Sequence, residues 1–168
     1  MVGSPAVVPF GSVQVVFCGI NPSLYSAAVG HPFAHPGNRF WPAIHRAGLT
    51  DRLLSPFEDR LLLDYGCGLT NIAARATATA GQVSAEERAV GARSLVGKVR
   101  KHKPRAIAFL GVGSYRTAFG KPKAAVGKQP DPLAGAAAWV LPNPSGLNAH
   151  YQLDELAQLY RQLCQSVR

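Results

Sequence analysis

The chain has 168 residues, 47% of them hydrophobic, with mean hydropathy near zero, which lets it bury about two thirds of its unfolded surface as one domain over residues 1–168. No run approaches the roughly 20 consecutive apolar residues of a membrane span, and Met1-Val-Gly-Ser-Pro5 lacks the charged and apolar regions of a secretory signal, so a soluble cytoplasmic protein is expected. The net charge is +9, and eleven Lys or Arg but no Asp or Glu lie between Arg88 and Lys128; such a block suits a polyanion such as nucleic acid, narrowly ahead of the alternative, a solvated basic face with cations at a helix C-terminus.

Val13-Gln-Val-Val-Phe-Cys-Gly19 reads as a covered strand. Gly19 then permits a tight turn and Pro22 forces Asn21 toward an extended backbone. That is the form of a ligand-facing loop beyond a strand of an open α/β sheet. Asn38 to Gly48 places Phe40, Trp41, Ile44 and Ala47 at helical spacing, with Gly48 as the stop, and Trp41 belongs to the core stripe. A polar, turn-rich stretch leads to Leu61–Ile72, where paired glycines indicate a helix end and then a short extended piece that brings Thr70 and Asn71 toward the same cleft. Ser84-Ala-Glu-Glu87 is a capping box, continued by Ala92, Leu95, Val96 and Val99 on one face as far as Lys103-Pro104.

Ala106–Leu110 is a buried strand, and Gly111-Val-Gly-Ser-Tyr-Arg116 opens another helix. The Gly111-x-Gly113 pair lacks the third glycine and the acidic partner of a dinucleotide site, so close strand-to-helix packing explains it. Gly120–Ala138 has no period and is expected to be a mobile basic loop. Trp139-Val-Leu141 is a strand, followed by a second Asn-Pro-Ser turn in Pro142-Asn-Pro-Ser-Gly-Leu-Asn148. Leu153, Leu156, Ala157, Tyr160, Leu163 and Val167 then form one helical stripe. Strands alternating with helices predict a three-layer α/β/α sandwich around a central, mostly parallel sheet, with the two Asn-Pro-Ser loops facing one cleft.

Cys18, Cys67 and Cys164 show no metal or redox spacing and are read as small apolar fillers. His31 and His35 are four apart, but Pro32 and Pro36 break the helix that would aim both at a metal. No metal or other cofactor is therefore expected. From the residues alone, Asn21 and Asn143 are ordinary Asn-Pro turn residues, Phe33 between two prolines is a packing anchor, and Leu147 beside a helix start packs inward.

Gly19-Ile-Asn-Pro22, His31-Pro-Phe-Ala-His-Pro-Gly-Asn-Arg-Phe-Trp41 and Leu141-Pro-Asn-Pro-Ser-Gly-Leu147, joined by Leu63-Asp-Tyr-Gly-Cys-Gly-Leu-Thr70, together resemble the mismatch-specific uracil-DNA glycosylases, relatives of thymine-DNA glycosylase. The resemblance covers nearly the whole chain. It implies the uracil-DNA glycosylase-like fold, with mispaired uracil in double-stranded DNA as the partner; a single compact domain that wedges one lesion is expected to act as a monomer. Asn21 then corresponds to the asparagine that holds a water against the anomeric carbon of a flipped deoxyuridine. Because an amide is nearly non-basic, catalysis must rest on placement and on stabilising the leaving base. More powerful uracil-specific relatives carry Asp and His where Asn21 and Asn143 stand here.

The resemblance further implies that Phe33 stacks on the extruded base and that Gly19, Ile20, Ser26 and Asn71 line its pocket, with backbone groups of Ile20 and Phe33 reading the uracil edge. Asn143 contacts or positions the base. Ser145, Gly146, Leu147 and Asn148 enter the duplex, Leu147 filling the gap left by the flipped nucleotide. The sequence departs from the pattern at Ser23, where Gly is common, at Tyr25, where small residues are usual, at Ala76, where Pro is common, and at Ala149, which carries Arg in a close homologue type. The expectation is a monofunctional glycosylase that removes uracil. The competing readings are a non-catalytic basic α/β nucleic-acid-binding module and a hydrolase of free deoxyuridine.

Overall fold

The computed structural model describes residues 13–167; Met1-Val-Gly-Ser-Pro5, read above for a secretory signal, lies outside them. Five strands, β1 (Val15–Gly19), β2 (Cys67–Asn71), β3 (Ala106–Leu110), β4 (Gly127–Lys128) and β5 (Ala137–Leu141), form one sheet in the order β2-β1-β3-β5-β4. The first four in that order are parallel, and β4 runs antiparallel to β5. Parallel pairing requires crossovers. They are supplied by α1 (Leu24–Val29), α2 (Phe40–Arg46), α3 (Ala85–His102) and α4 (Val112–Phe119), with α5 (Leu153–Ser166) closing the chain. The loops after β1, β2, β3 and β5 consequently leave the sheet at a single edge.

Side-chain alternation divides the core into two apolar layers. Phe17, Ala108 and Trp139 point to one face and pack with Phe40 and Ile44 of α2 and Leu156 and Tyr160 of α5. Cys18, Ile107 and Val140 point to the other and pack with Leu95 and Val99 of α3 and Tyr115 of α4. The result is the expected three-layer arrangement. Phe40 joins the first layer to the site, touching Phe17 edge-on at 5.3 Å and stacking on Phe33 at 4.3 Å. All three cysteines are buried. Burial pushes the Cys18 and Cys67 thiols up to about 12, so they behave as apolar fillers.

Three segments depart from expectation. Helix α1 carries no clear apolar stripe and was not anticipated; Ser23 starts it, its hydroxyl accepting the Ser26 N–H at 3.1 Å. Residues Pro56–Tyr65 form a 3-10 segment opened by a Ser55–Glu58 capping box and closed by left-handed Gly66. Gly120–Ala138, expected to be a loop throughout, contains β4 and a bridge between Leu133 and Ala136, and β5 begins at Ala137. Alanine there gives no β-branched signal. Small side chains are required because Ala136 and Ala138 are buried in the layer that also holds Tyr115.

Candidate active site

Asn21 follows β1, and its amide is fixed by the loop after β2. Nδ2 donates to the Arg75 carbonyl at 2.7 Å and to Thr77 Oγ1 at 2.8 Å. The carbonyl can only accept, and the Thr77 hydroxyl already donates to the Thr79 carbonyl at 2.6 Å, so nitrogen must be the atom facing both. Oδ1 is the group left for a ligand. The two loops stay zipped beyond the strands through Ile72 N–H to Gly19 O, Ala73 N–H to Ile20 O and Thr77 N–H to Pro22 O. Arg75 is held in turn by a two-pronged ion pair with Glu87 at 2.7 and 3.0 Å and a bond to the Gln82 carbonyl. Glu87 also receives the Ser84 N–H in the α3 capping box, and Arg75 with that N–H holds its carboxyl down to about 2.

Three predicted pocket residues converge beside Asn21. A Cβ added to Gly19 would lie 2.5 Å from Asn71 Oδ1 and 3.6 Å from Phe33 Cζ, so the missing side chain is what lets the Asn71 amide cross β1. Gly19 and Asn71 are register partners at the ends of β1 and β2. Phe33 is half-exposed, with one ring face stacked on buried Phe40. Its φ of 52° lies in the left-handed region, where a bulky residue costs about 1–3 kcal/mol and persists only if its surroundings impose it. Ser26, 2% exposed, imposes part of it: its hydroxyl accepts the Ala34 N–H at 3.2 Å and ties α1 beneath the Phe33 loop. Ile20 uses its carbonyl on Ala73 and its side chain against Gly111, whose added Cβ would come within 3.2 Å. Of the Gly111-x-Gly113 pair only Gly111 is needed for close packing, since a Cβ on Gly113 meets open space.

After β5, Asn143 is oriented the opposite way to Asn21. Its Oδ1 accepts the Ser145 N–H at 2.9 Å, leaving Nδ2 as its unused group. Ser145 Oγ accepts the Leu147 N–H, and Asn148 places its amide on the Asn143 carbonyl and the His150 N–H. Leu147 is 87% exposed, so the inward-packing role that its sequence position suggests does not hold. Gly146 lies against the Phe33 loop, where a Cβ would come within 2.6 Å of the Gly37 carbonyl oxygen. Arg39 fastens the loop, donating from its guanidinium to the main-chain carbonyls of Pro144, Ser145, Asn148 and Tyr151. The Asn21, Phe33 and Leu147 loops therefore form one rim.

The model of the Uracil DNA glycosylase superfamily matches residues 5–164. The chain belongs to that superfamily. It is accordingly a DNA glycosylase of the hydrolase class.

Sequence reasoning assigned no role at the rim to Arg39, Thr77, Arg75 or Glu87, the residues that hold the Asn21 and Leu147 loops. The signals were faint. Arg39 lies inside a quoted motif, and Glu87 was recognised only as a capping residue. His31 and His35 separate: His31 Nδ1 lies 3.3 Å from Asp59, whereas His35 accepts the Gly37 N–H and meets Tyr25 edge-on at 5.5 Å. Tyr25, one of the departures, thus sits at the rim as the partner of a histidine. Among the described residues no group of three or more His, Cys, Asp or Glu is arranged to hold a metal ion, and no helix is long and apolar enough to cross a membrane. A groove of about 500 Å³ lies away from the rim, between α4 and the β4 segment.

Proposed function

We propose that this glycosylase removes uracil from mispaired double-stranded DNA by hydrolysing the N-glycosidic bond and leaving an abasic site. The opposed tethering of two neutral amides carries the reading. Asn21 spends its NH2 group on the protein and retains an acceptor, which suits holding a water by one of its protons. Asn143 spends its oxygen and retains a donor, which suits the carbonyl oxygen of a departing pyrimidine as negative charge develops there. Neither group removes a proton efficiently, so rate comes from placement and from an electron-poor leaving base. Slow turnover follows. The matched motifs contain no lysine able to form a Schiff base, which favours a monofunctional enzyme.

Phe33, backed by Phe40, offers one ring face to an extruded base, a contact worth roughly 1–3 kcal/mol. Asn71 lies across Gly19 with an amide that has no hydrogen-bond partner among the described residues, which suits reading a base edge. Leu147 projects from a loop braced by Arg39 and suits the gap in the base stack. A mispaired uracil costs less to extrude than a firmly paired base, so G·U substrates should lead.

The deciding experiment incubates purified protein with free deoxyuridine and with G·U, A·U and single-stranded uracil oligonucleotides, scoring released base and alkali-labile abasic sites. The expected result is release from oligonucleotides, fastest from G·U, with Asn21→Ala slower by orders of magnitude at nearly unchanged affinity. No release from any oligonucleotide defeats the proposal. Binding that survives Asn21→Ala with no release from either protein identifies the binding module, and processing of free deoxyuridine alone identifies the nucleotide hydrolase.

A further inference from the structure

The basic block between Arg88 and Lys128 does not gather at the catalytic rim. Helix α3 starts near the rim and descends to the opposite edge, where Arg100, Lys101 and His102 form its last turn and Lys103 its left-handed end. Arg105 links the starting ends of three strands there, its N–H reaching the Gln14 carbonyl and its own carbonyl accepting the Ala137 N–H. Helix α4 also descends from the rim. Lys121, just beyond its end, pairs with Asp131 at 2.9 Å shortly before β5 begins. Lys123 lines the 500 Å³ groove alongside, whereas Lys128, also on the groove, sits at mid-height of the sheet opposite Trp139. Strands of five residues hold the two edges about 16 Å apart, so the duplex engaged by the Leu147 loop has the height of the sheet between it and these charges.

Arg100, Lys101, Lys103 and Lys123 are exposed, and among the described residues none of these four has an acidic partner; Lys121 pairs with Asp131. None of the exposed large hydrophobic side chains falls between Arg93 and Asp131. A protein partner draws most of its affinity from apolar and aromatic anchors, whereas DNA held by its phosphates requires only clustered cations. We infer that this far edge is a second DNA-binding surface that captures a separate duplex segment while the catalytic rim still holds the first. The inference rests on the glycosylase reading for its choice of polyanion. Two surfaces on opposite edges allow a transient ternary complex, so the protein passes directly from one segment to another without first becoming free.

The test follows dissociation from a fluorescent duplex carrying a non-cleavable abasic analogue, by stopped flow, as unlabelled undamaged duplex is raised. With direct transfer, the apparent dissociation rate climbs with competitor, about tenfold across roughly two decades of concentration. In the triple variant Arg100→Gln, Lys101→Gln, Lys123→Gln it stays flat, while circular dichroism and single-turnover base release from a short lesion duplex match the parent. A flat parental rate overturns the proposal, as does a climb that persists in the variant. Acceleration by polyglutamate but not by DNA also overturns it and assigns the edge to an acidic protein. If no substrate releases base yet the competitor-dependent climb is lost in the variant, the second surface stands and the glycosylase reading fails.

Discussion

Replacing Asn21 by aspartate is the change that acid–base chemistry alone would favour, since a carboxylate is a far better base than an amide. The surroundings of Asn21 oppose it. The place filled by Nδ2 lies 2.7 Å from the Arg75 carbonyl and 2.8 Å from Thr77 Oγ1, and the Thr77 proton is committed to the Thr79 carbonyl. A carboxylate oxygen there meets two acceptors with no proton between them. An unmet contact of this kind costs about 1–3 kcal/mol and is relieved when the carboxyl takes up a proton and donates it to Arg75. The new pKa is therefore expected about 1–2 units above the ordinary aspartate value, near ~5–6. Because the folded-state value is raised, the variant is most stable below ~4, where its single proton restores one of the two donations, and loses about 1.4–2.7 kcal/mol as pH rises through ~6. Single-turnover base release should acquire a titration with the same midpoint, absent from the parent. Thermal melts across pH together with rate profiles test this. A midpoint at or below ~4, with a pH-independent difference in melting temperature, would refute the claim that Asn21 is held by acceptors alone.

Arg39→Lys leaves one ammonium to serve carbonyls that a planar fork now reaches, so stability falls by about 2 kcal/mol and excision slows more from paired than from single-stranded uracil; equal slowing on both separates Arg39 from the wedge. Leu147→Ala, at a site 87% exposed, stays within about 0.5 kcal/mol of parental stability yet slows release from G·U duplex about tenfold while sparing single strands, which calorimetry and single-turnover assays resolve. Gly19→Ala places a methyl against Asn71 Oδ1, the far end of a side chain that can swing aside. The fold should survive while affinity for uracil-containing single strands drops more than the rate at saturation, as separate titrations and single turnovers will show. Glu87, held at about 2 against an ordinary 4.5, contributes stability that is complete above pH 4.5 and lost as pH falls toward 2; Glu87→Gln should flatten the acid limb of the melting curve, and an unchanged limb contradicts the role of the Arg75 pair.

The layered fold was legible because its parallel strands are short, continuous apolar runs and its longer helices carry periodic stripes and caps. Helix α1 and strand β5 were less so. Six residues of α1 are too few to display a period, and the first two positions of β5 are alanines, Ala137 packed against the Phe17 layer and Ala138 buried in the layer that holds Tyr115. Asn21, Asn143 and Leu147 stand out as candidates only through motif resemblance; the residues alone suggest two turns and a core leucine. What no local pattern revealed was the bracing. Arg39 acts on carbonyls about a hundred residues away, and Arg75 reaches Asn21 through a main-chain oxygen, which any residue type supplies. Contacts made to backbone leave no complementary letter in the sequence.

That last property has a practical side in the loop fastened by Arg39. Its contour is clamped through main-chain oxygens of Pro144, Ser145, Asn148 and Tyr151, so the exposed side chains at Leu147, Ala149 and His150 are free of the work of shaping it. Those three positions form a replaceable cassette on a rigid mount. Bulk or charge can be exchanged there without rebuilding the frame that carries it.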